Sequence, residues 1–148
     1  MTKQIPENLY TDNMIPVFGY ELLRDVLLPD LLGKEAPVLL YWAGKRIARQ
    51  YPLENFSEIL SFFEKAGWGQ LSVIHEKKDT LELELTSPLI SERIKNQKEI
   101  NFQLEAGFLA QQIESQKNVI SETFEHPKYH HNKVRFTVKW DKKDFITD

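Results

Sequence analysis

Cysteine is absent from all 148 residues, which excludes disulfides, thiolate metal sites, cysteine nucleophiles and S-acylation together and suits a reducing, cytosolic setting. Long apolar runs are also missing: no stretch approaches the roughly 18 consecutive apolar residues of a membrane-spanning helix. The first ten residues carry Lys3, Pro6 and Glu7 with no apolar run behind the lysine, so they do not read as a signal peptide. The expected location is the cytoplasm, with no membrane span. There is no basic excess either, since 19 Lys and Arg stand against 22 Asp and Glu for a formal charge of -3. That balance argues against a nucleic-acid partner. No phosphate-cradling glycine loop, Gly-x-Ser-x-Gly elbow or His-Glu-x-x-His occurs, so no catalytic, cofactor-binding or metal-binding residue is assigned and an enzyme is not expected.

What the chain does have is periodicity, at 41% hydrophobic and 28% charged residues, the composition of an ordinary globular domain. Residues 1–17 lack a clean period and read as an irregular arm of a single domain covering 1–148. Tyr20, Leu23 and Leu27, with Leu22 and Val26, then recur at helical spacing. Pro37 to Tyr51 is a second helix with Leu40, Ala43, Gly44, Ile47 and Tyr51 on one face, ended by Pro52. Asn55 and Glu58 form a capping-box-like start to a third, striped by Phe56, Ile59, Leu60 and Phe63 and closed by Gly67.

The period then switches to two. Leu71 and Val73, then Leu81, Leu83 and Leu85 alternating with Glu82 and Glu84, make a hairpin with one dry and one wet face. A helical region from Ser87 to about Gln116 follows, with a break near Asn96. A second hairpin pairs Val119–Phe124 with Val134, Phe136, Val138 and Trp140, and residues 141–148 read as a polar tail. The order is αααββαββ. Two hairpins joined by a helix imply an α+β fold with one antiparallel four-stranded sheet and helices packed on its dry face.

The helix between the hairpins is unusual when projected at about 100° per residue. Phe102, Ala106, Leu109, Ala110 and Ile113 form one apolar face, and Ile100, Leu104, Gly107 and Phe108 form a second. Asn101, Glu105 and Gln112 make a polar strip between them. A helix covering a sheet needs one apolar face, so the second requires another partner. Three remain open: other helices of the same domain, a homodimer interface, or the wall of a ligand pocket.

Trp42, Lys45, Arg46 and Arg49 gather on one side of the second helix. Trp42 and Arg46 are four apart, which allows a cation–π contact. The group is a candidate anionic-ligand patch or pocket rim, weighed against a solvated basic face favoured near a helix C-terminus. His126, His130 and His131 share a loop with spacing that can hold a metal, but Pro127 makes a helix there awkward and no acidic residue has ligand spacing, so a solvated loop is the expectation. Glu82 and Glu84 fit the wet side of a strand. His75 continues the Leu71–Val73 face and is expected to be partly buried or at a strand end.

Several short segments, in this order, also resemble a known superfamily. They are Leu39-Leu40-Tyr41-Trp42-Ala43-Gly44, Ala66-Gly67-Trp68-Gly69-Gln70-Leu71-Ser72-Val73, Leu104-Glu105-Ala106-Gly107-Phe108-Leu109-Ala110, Glu122-Thr123, and Val134-Arg135-Phe136-Thr137-Val138. Together they resemble four-vinyl-reductase-like domains and TRAPP subunits, the superfamily that also includes haem-based nitric oxide sensors. Closer still, the whole sequence resembles the YslB family of small uncharacterised bacterial proteins. The resemblance implies an antiparallel sheet packed on helices, and often a dimer. It departs where relatives carry cysteines, one near Val134, and the Tyr-x-Ser-x-Arg signature of the haem sensors is not found, so no cofactor follows from it. The expectation is a non-enzymatic, dimerising adaptor or regulatory domain of the bacterial cytosol. The alternative is a small-molecule binding or sensor domain taking an apolar or lipid-like ligand.

Overall fold

The computed structural model describes residues 2–3, 15–96, 99–127, 129 and 132–145. Most of the arm, residues 4–14, lies outside the described residues, as do His130, His131 and residues 146–148. An N-terminal helix comes first, made of α1 (Val17–Glu21), a π-helical stretch (Leu22–Leu27) and α2 (Leu28–Leu32). A short 3-10 turn leads to α3 (Ala36–Gln50), then α4 (Phe56–Lys65), the strands β1 (Gln70–Glu76) and β2 (Thr80–Thr86), and α5 (Pro88–Asn96). The chain ends with α6 (Gln103–Lys117), β3 (Val119–Glu125) and β4 (Val134–Phe145).

The strands form one antiparallel sheet in the order β1-β2-β4-β3, so the two hairpins lie side by side through β2 and β4. Registers such as Leu83↔Phe136 and Leu81↔Val138 stack the inward leucines on the inward residues of β4. On the outer face Glu84 meets Arg135 at 3.3 Å and Lys133 at 3.4 Å, the surface pairing expected of a wet face. His75 is exposed, not half-buried. Strand β4 continues to Phe145, so residues 141–145 are strand within the stretch expected to be a polar tail.

Local signals explain the helix ends. Asn55 Oδ1 accepts a hydrogen bond from the Glu58 amide, and the Glu58 carboxylate accepts one from the Glu54 amide, one residue before the usual capping-box partner. Gly67, at φ +75°, closes α4 while the Trp68 amide bonds back to the Phe63 carbonyl. Asn118, at φ 56°, ends α6 in the left-handed conformation that asparagine tolerates.

Helix α6 is the centre of the molecule. Every residue from Glu105 to Ile113 is buried. One face packs on the sheet, and the other meets α3. There Gly107 lies against the backbone of Tyr41, and Gly44 of α3 lies against the backbone of Leu104. Of the face made by Ile100, Leu104, Gly107 and Phe108, Gly107 and Phe108 are buried within the chain, while Ile100 and Leu104 are half-buried at its edge. The rings of Phe62, Phe63, Trp68 and Phe108 fill the adjoining space, with Phe62 stacked 4.4 Å from Phe108 and Trp68 edge-on at 5.2 Å.

Candidate functional site

The polar strip of α6 has three separate tasks. Asn101 Oδ1 accepts the Gln103 amide in a tight turn just before the helix start. Gln112 donates to the Tyr51 carbonyl at 2.8 Å and accepts the Leu53 amide at 3.1 Å, closing the chain at the end of α3. Glu105, 1% exposed, forms a bidentate pair with Arg24 of the N-terminal helix at 2.6 and 3.1 Å.

That pair has a neighbour. Arg93 of α5, 2% exposed, makes two 2.7 Å bonds to Asp25. The guanidinium of Arg93 lies 4.4 Å from the Phe102 ring, and both arginines donate to the Asn101 carbonyl. Burial disfavours the charge on Arg24, yet the attraction and hydrogen bonds of Glu105 outweigh it and hold the guanidinium protonated beyond its ordinary range. Burial pushes the Tyr20 hydroxyl up, against the opposing pull of Arg24, which donates to it at 3.0 Å.

These contacts turn the N-terminal helix inside out. The buried side chains of Val17–Leu32 are Glu21, Arg24 and Asp25. The wider turn of a π-helix, with its i→i+5 hydrogen bonds, lets the adjacent Arg24 and Asp25 share the inward side. The stripe at helical spacing faces outward, with Leu23 60% exposed, Leu22, Val26 and Leu27 exposed beside it and Tyr20 half-buried, and Phe18 and Leu31 of the same helix are 67% and 70% exposed. Leu22, Leu23, Val26, Leu27 and Asp30 line one shallow groove of about 400 Å³. Exposed apolar residues continue along the chain as Val38, Leu39 and Trp42 of α3.

The eight large apolar residues from Ile15 to Leu31 are each between 41% and 73% exposed, and four of them, Leu22, Leu23, Val26 and Leu27, share that groove.

The sheet edges are guarded in other ways. On edge strand β3 the Ser121 amide is taken by the Glu114 carboxylate and the Thr123 amide by the Tyr41 hydroxyl. Strand β1 carries a bulge between Val73 and His75. Both are devices that discourage strand addition. Burial raises the Tyr41 hydroxyl's pKa. Beside it Pro37, Val38, Gln103, Glu122, Thr123 and Phe124 line an open groove of about 340 Å³.

The other candidates separate. Trp42, Arg46 and Arg49 are exposed on α3, and Lys45 lies over the Trp42 and Tyr41 rings at 5.3 and 5.4 Å, taking the cation–π contact expected of Arg46. His126 bonds Thr137 Oγ1 at 2.7 Å. No cluster of metal-ligating residues occurs among the described residues, and none of their helices is long and apolar enough to cross a membrane.

Sequence reading missed Arg24, Asp25 and Arg93 altogether. The available signal was the pair Arg24-Asp25 set inside one apolar helix and Glu105 set inside another.

Comparison with known proteins agrees with this architecture. A vinyl-4-reductase family protein from Methanocaldococcus jannaschii has a similar crystal structure, with TM-score 0.65 and 22% identity over 89% of this chain and 85% of that one. An H-NOX protein mutant from K. algicida, described as Fe(II) unliganded, gives TM-score 0.55 at 14% identity, covering 92% of this chain and 82% of that one. In sequence, the uncharacterized protein YslB of Bacillus subtilis (strain 168) is 51% identical over 127 residues, 86% of each chain. The family model described as "Protein of unknown function (DUF2507)" matches residues 17–139, from the first residue of the inside-out helix to the central strand β4, and the chain belongs to that family.

Proposed function

We propose that this protein is a non-enzymatic adaptor or regulatory domain that self-associates through the outward apolar face of its N-terminal helix. The observation that carries the proposal is the inversion of that helix, with acidic and basic side chains inward and leucines in water. The arrangement alone is unfavourable, because each partly exposed leucine forgoes a share of the roughly 1.5–3 kcal/mol that full burial supplies. A second copy is the occupant that fits. Its identical face is equally apolar, so the leucines that line the groove on one copy can cover those on the other. A two-fold axis would set leucine stripe on leucine stripe.

The dimer surface expected from sequence was the Ile100–Phe108 face of α6. Gly107 and Phe108 of that face are buried against α3 and the aromatic cluster, which favours the N-terminal helix as the contact. The competing reading, an apolar ligand between sheet and helices with Trp42 and Arg46 at its rim, has less support. Stacked aromatic rings fill that space, and Trp42 and Arg46 stand on the exposed side of α3. The likeness to H-NOX and vinyl-4-reductase structures is a likeness of fold, and fold does not carry function with it.

Light scattering at micromolar concentration tests the proposal. A dimer is expected, converted to monomer by Leu23→Glu with an unchanged circular dichroism spectrum. A wild-type protein that stays monomeric across that range would remove the proposal.

A further inference from the structure

The self-association surface exists only while the N-terminal helix keeps its orientation, and apolar burial does not hold it there. Its buried side chains are Glu21, Arg24 and Asp25. Leu28, Leu32 and Tyr20 are half-buried, and α2 buries no residue fully. The firm attachments are Arg24 to Glu105 and Asp25 to Arg93, which join the helix to α6 and α5 across 81 and 68 residues of sequence. The Asn101 carbonyl ties the two pairs together by accepting from both arginines. Glu21 adds a weak 3.5 Å contact from the Asn96 amide.

We infer that these two ion pairs are an orientation lock on a separable arm. They fix the apolar face outward, and breaking either pair frees the helix without unfolding the rest. This inference rests on the self-association reading for its purpose, but not for its test. The argument is one of balance. Buried charges are costly unless paired, so orientations that leave Arg24 or Glu105 unpartnered are strongly disfavoured while the pairs are intact. Remove one partner and the reason for the present orientation is gone, because the inward face then carries a lone buried charge that water solvates better. The core of α3, α4, α6 and the sheet has its own continuous apolar cluster, to which residues 17–32 contribute none of the buried members. Such an arm belongs to the low-stability end of a structure and opens locally.

Hydrogen exchange of the full chain, in the Leu23→Glu background so that self-association does not enter the readout, tests the lock. Glu105→Gln and Asp25→Asn are each expected to speed exchange of amides in residues 17–32 by roughly 100-fold or more, while amides of 109–113 and 134–138 keep their protection. Arg24→Met combined with Glu105→Gln should exchange no faster than the worse single variant, since both break the same pair. Phe108→Ala is the contrast, expected to speed exchange in all elements together. Unchanged exchange at 17–32 in both charge variants would overturn the lock, as would loss of protection throughout the chain. Light scattering of the wild type decides self-association separately. A dimeric wild type whose Glu105→Gln form keeps a protected helix refutes the lock alone, and a monomeric wild type with the expected exchange pattern refutes self-association alone.

Discussion

Replacing Gly107 by alanine sets two effects of opposite sign against each other. Helix propensity favours alanine over glycine in a helix interior by about 1 kcal/mol, so on sequence grounds the substitution stabilises. Packing opposes it. A methyl at Gly107 would overlap the Tyr41 carbonyl oxygen, and would stand 2.8 Å from the carbonyl carbon and 3.1 Å from Cα of Tyr41. All three are backbone atoms of a helix, so no side-chain rotation relieves the overlap, and α3 must retreat from α6. The same retreat opens the neighbouring contact of Gly44 on the Leu104 backbone. Overpacking typically costs about 1–3 kcal/mol, and a backbone-on-backbone clash belongs at or above the top of that range. After the propensity gain, the net loss is about 2–3 kcal/mol. For a chain of this size that lowers Tm by roughly 5–10 °C. Gly19 is the control. It lies in α1 with nothing within 4 Å of an added Cβ, so Gly19→Ala should raise stability by about 0.5–1 kcal/mol. Thermal and urea unfolding of both variants read the two signs. If Gly107→Ala is as stable as Gly19→Ala, the close approach of α3 and α6 is refuted.

Three further outcomes follow from the described contacts. Phe108→Ala removes the ring between Phe62 and Trp68 and should cost about 3–5 kcal/mol in urea unfolding. Glu105→Gln leaves Arg24 buried without its carboxylate and should cost about 3–5 kcal/mol in the local opening of residues 17–32 read by hydrogen exchange, whereas Glu84→Gln on the outer sheet face should cost less than about 1 kcal/mol in urea unfolding, so comparable losses would refute the burial argument. Tyr20, Tyr41 and Tyr129 all have hydroxyl pKa values raised by burial, with Glu125 adding to the rise at Tyr129. The folded state thus holds these protons more tightly than the unfolded chain. Their contribution is complete below the unfolded value near pH 10 and is lost as pH climbs through the folded values. Alkaline titration should show tyrosinate absorbance rising together with the loss of circular dichroism. Three tyrosines ionising at their ordinary pKa in a folded protein would contradict this.

Much of the fold was legible because its signals are local. Period-two alternation marked both hairpins, and the caps at Asn55 and Gly67 marked both ends of α4 through backbone geometry that only those neighbours decide. The extension of β4 to Phe145 was not legible, since its pairing partner is Val119, far away in sequence, and its own residues do not alternate. The second face of α6 was visible as a question. Gly107 signals close approach, but its counterpart Gly44 sits 63 residues earlier, and no spacing rule links the two. The N-terminal helix shows a harder limit. A stripe of Leu22, Leu23, Val26 and Leu27 gives a helix its amphipathic face, but periodicity is blind to which face meets the body of the protein. The stripe therefore shows that a helix is present but not that Arg24 and Asp25 lie on its inward side.

The unusual features of α6 and of the N-terminal helix have one physical origin. A central helix buried on all sides has no solvent face on which to place a carboxylate, so Glu105 requires a cation delivered by another element. Arg24 delivers it, and cannot do so alone, because the helix that presents Arg24 inward also turns Asp25 inward through the π-helical stretch. Asp25 in turn requires Arg93. Once those two pairs are made, the apolar residues between them have only one direction left, toward solvent. The exposed leucine face is thus a geometric consequence of one buried glutamate, and a chain that keeps Glu105, Arg24, Asp25 and Arg93 commits itself to presenting that face. Replacing all four with apolar residues of similar size separates fold from surface. Buried ion pairs are often replaceable at little cost in stability, so such a variant should still fold. Its N-terminal helix would lose the charge pattern that distinguishes inward from outward, and with it the defined surface for self-association.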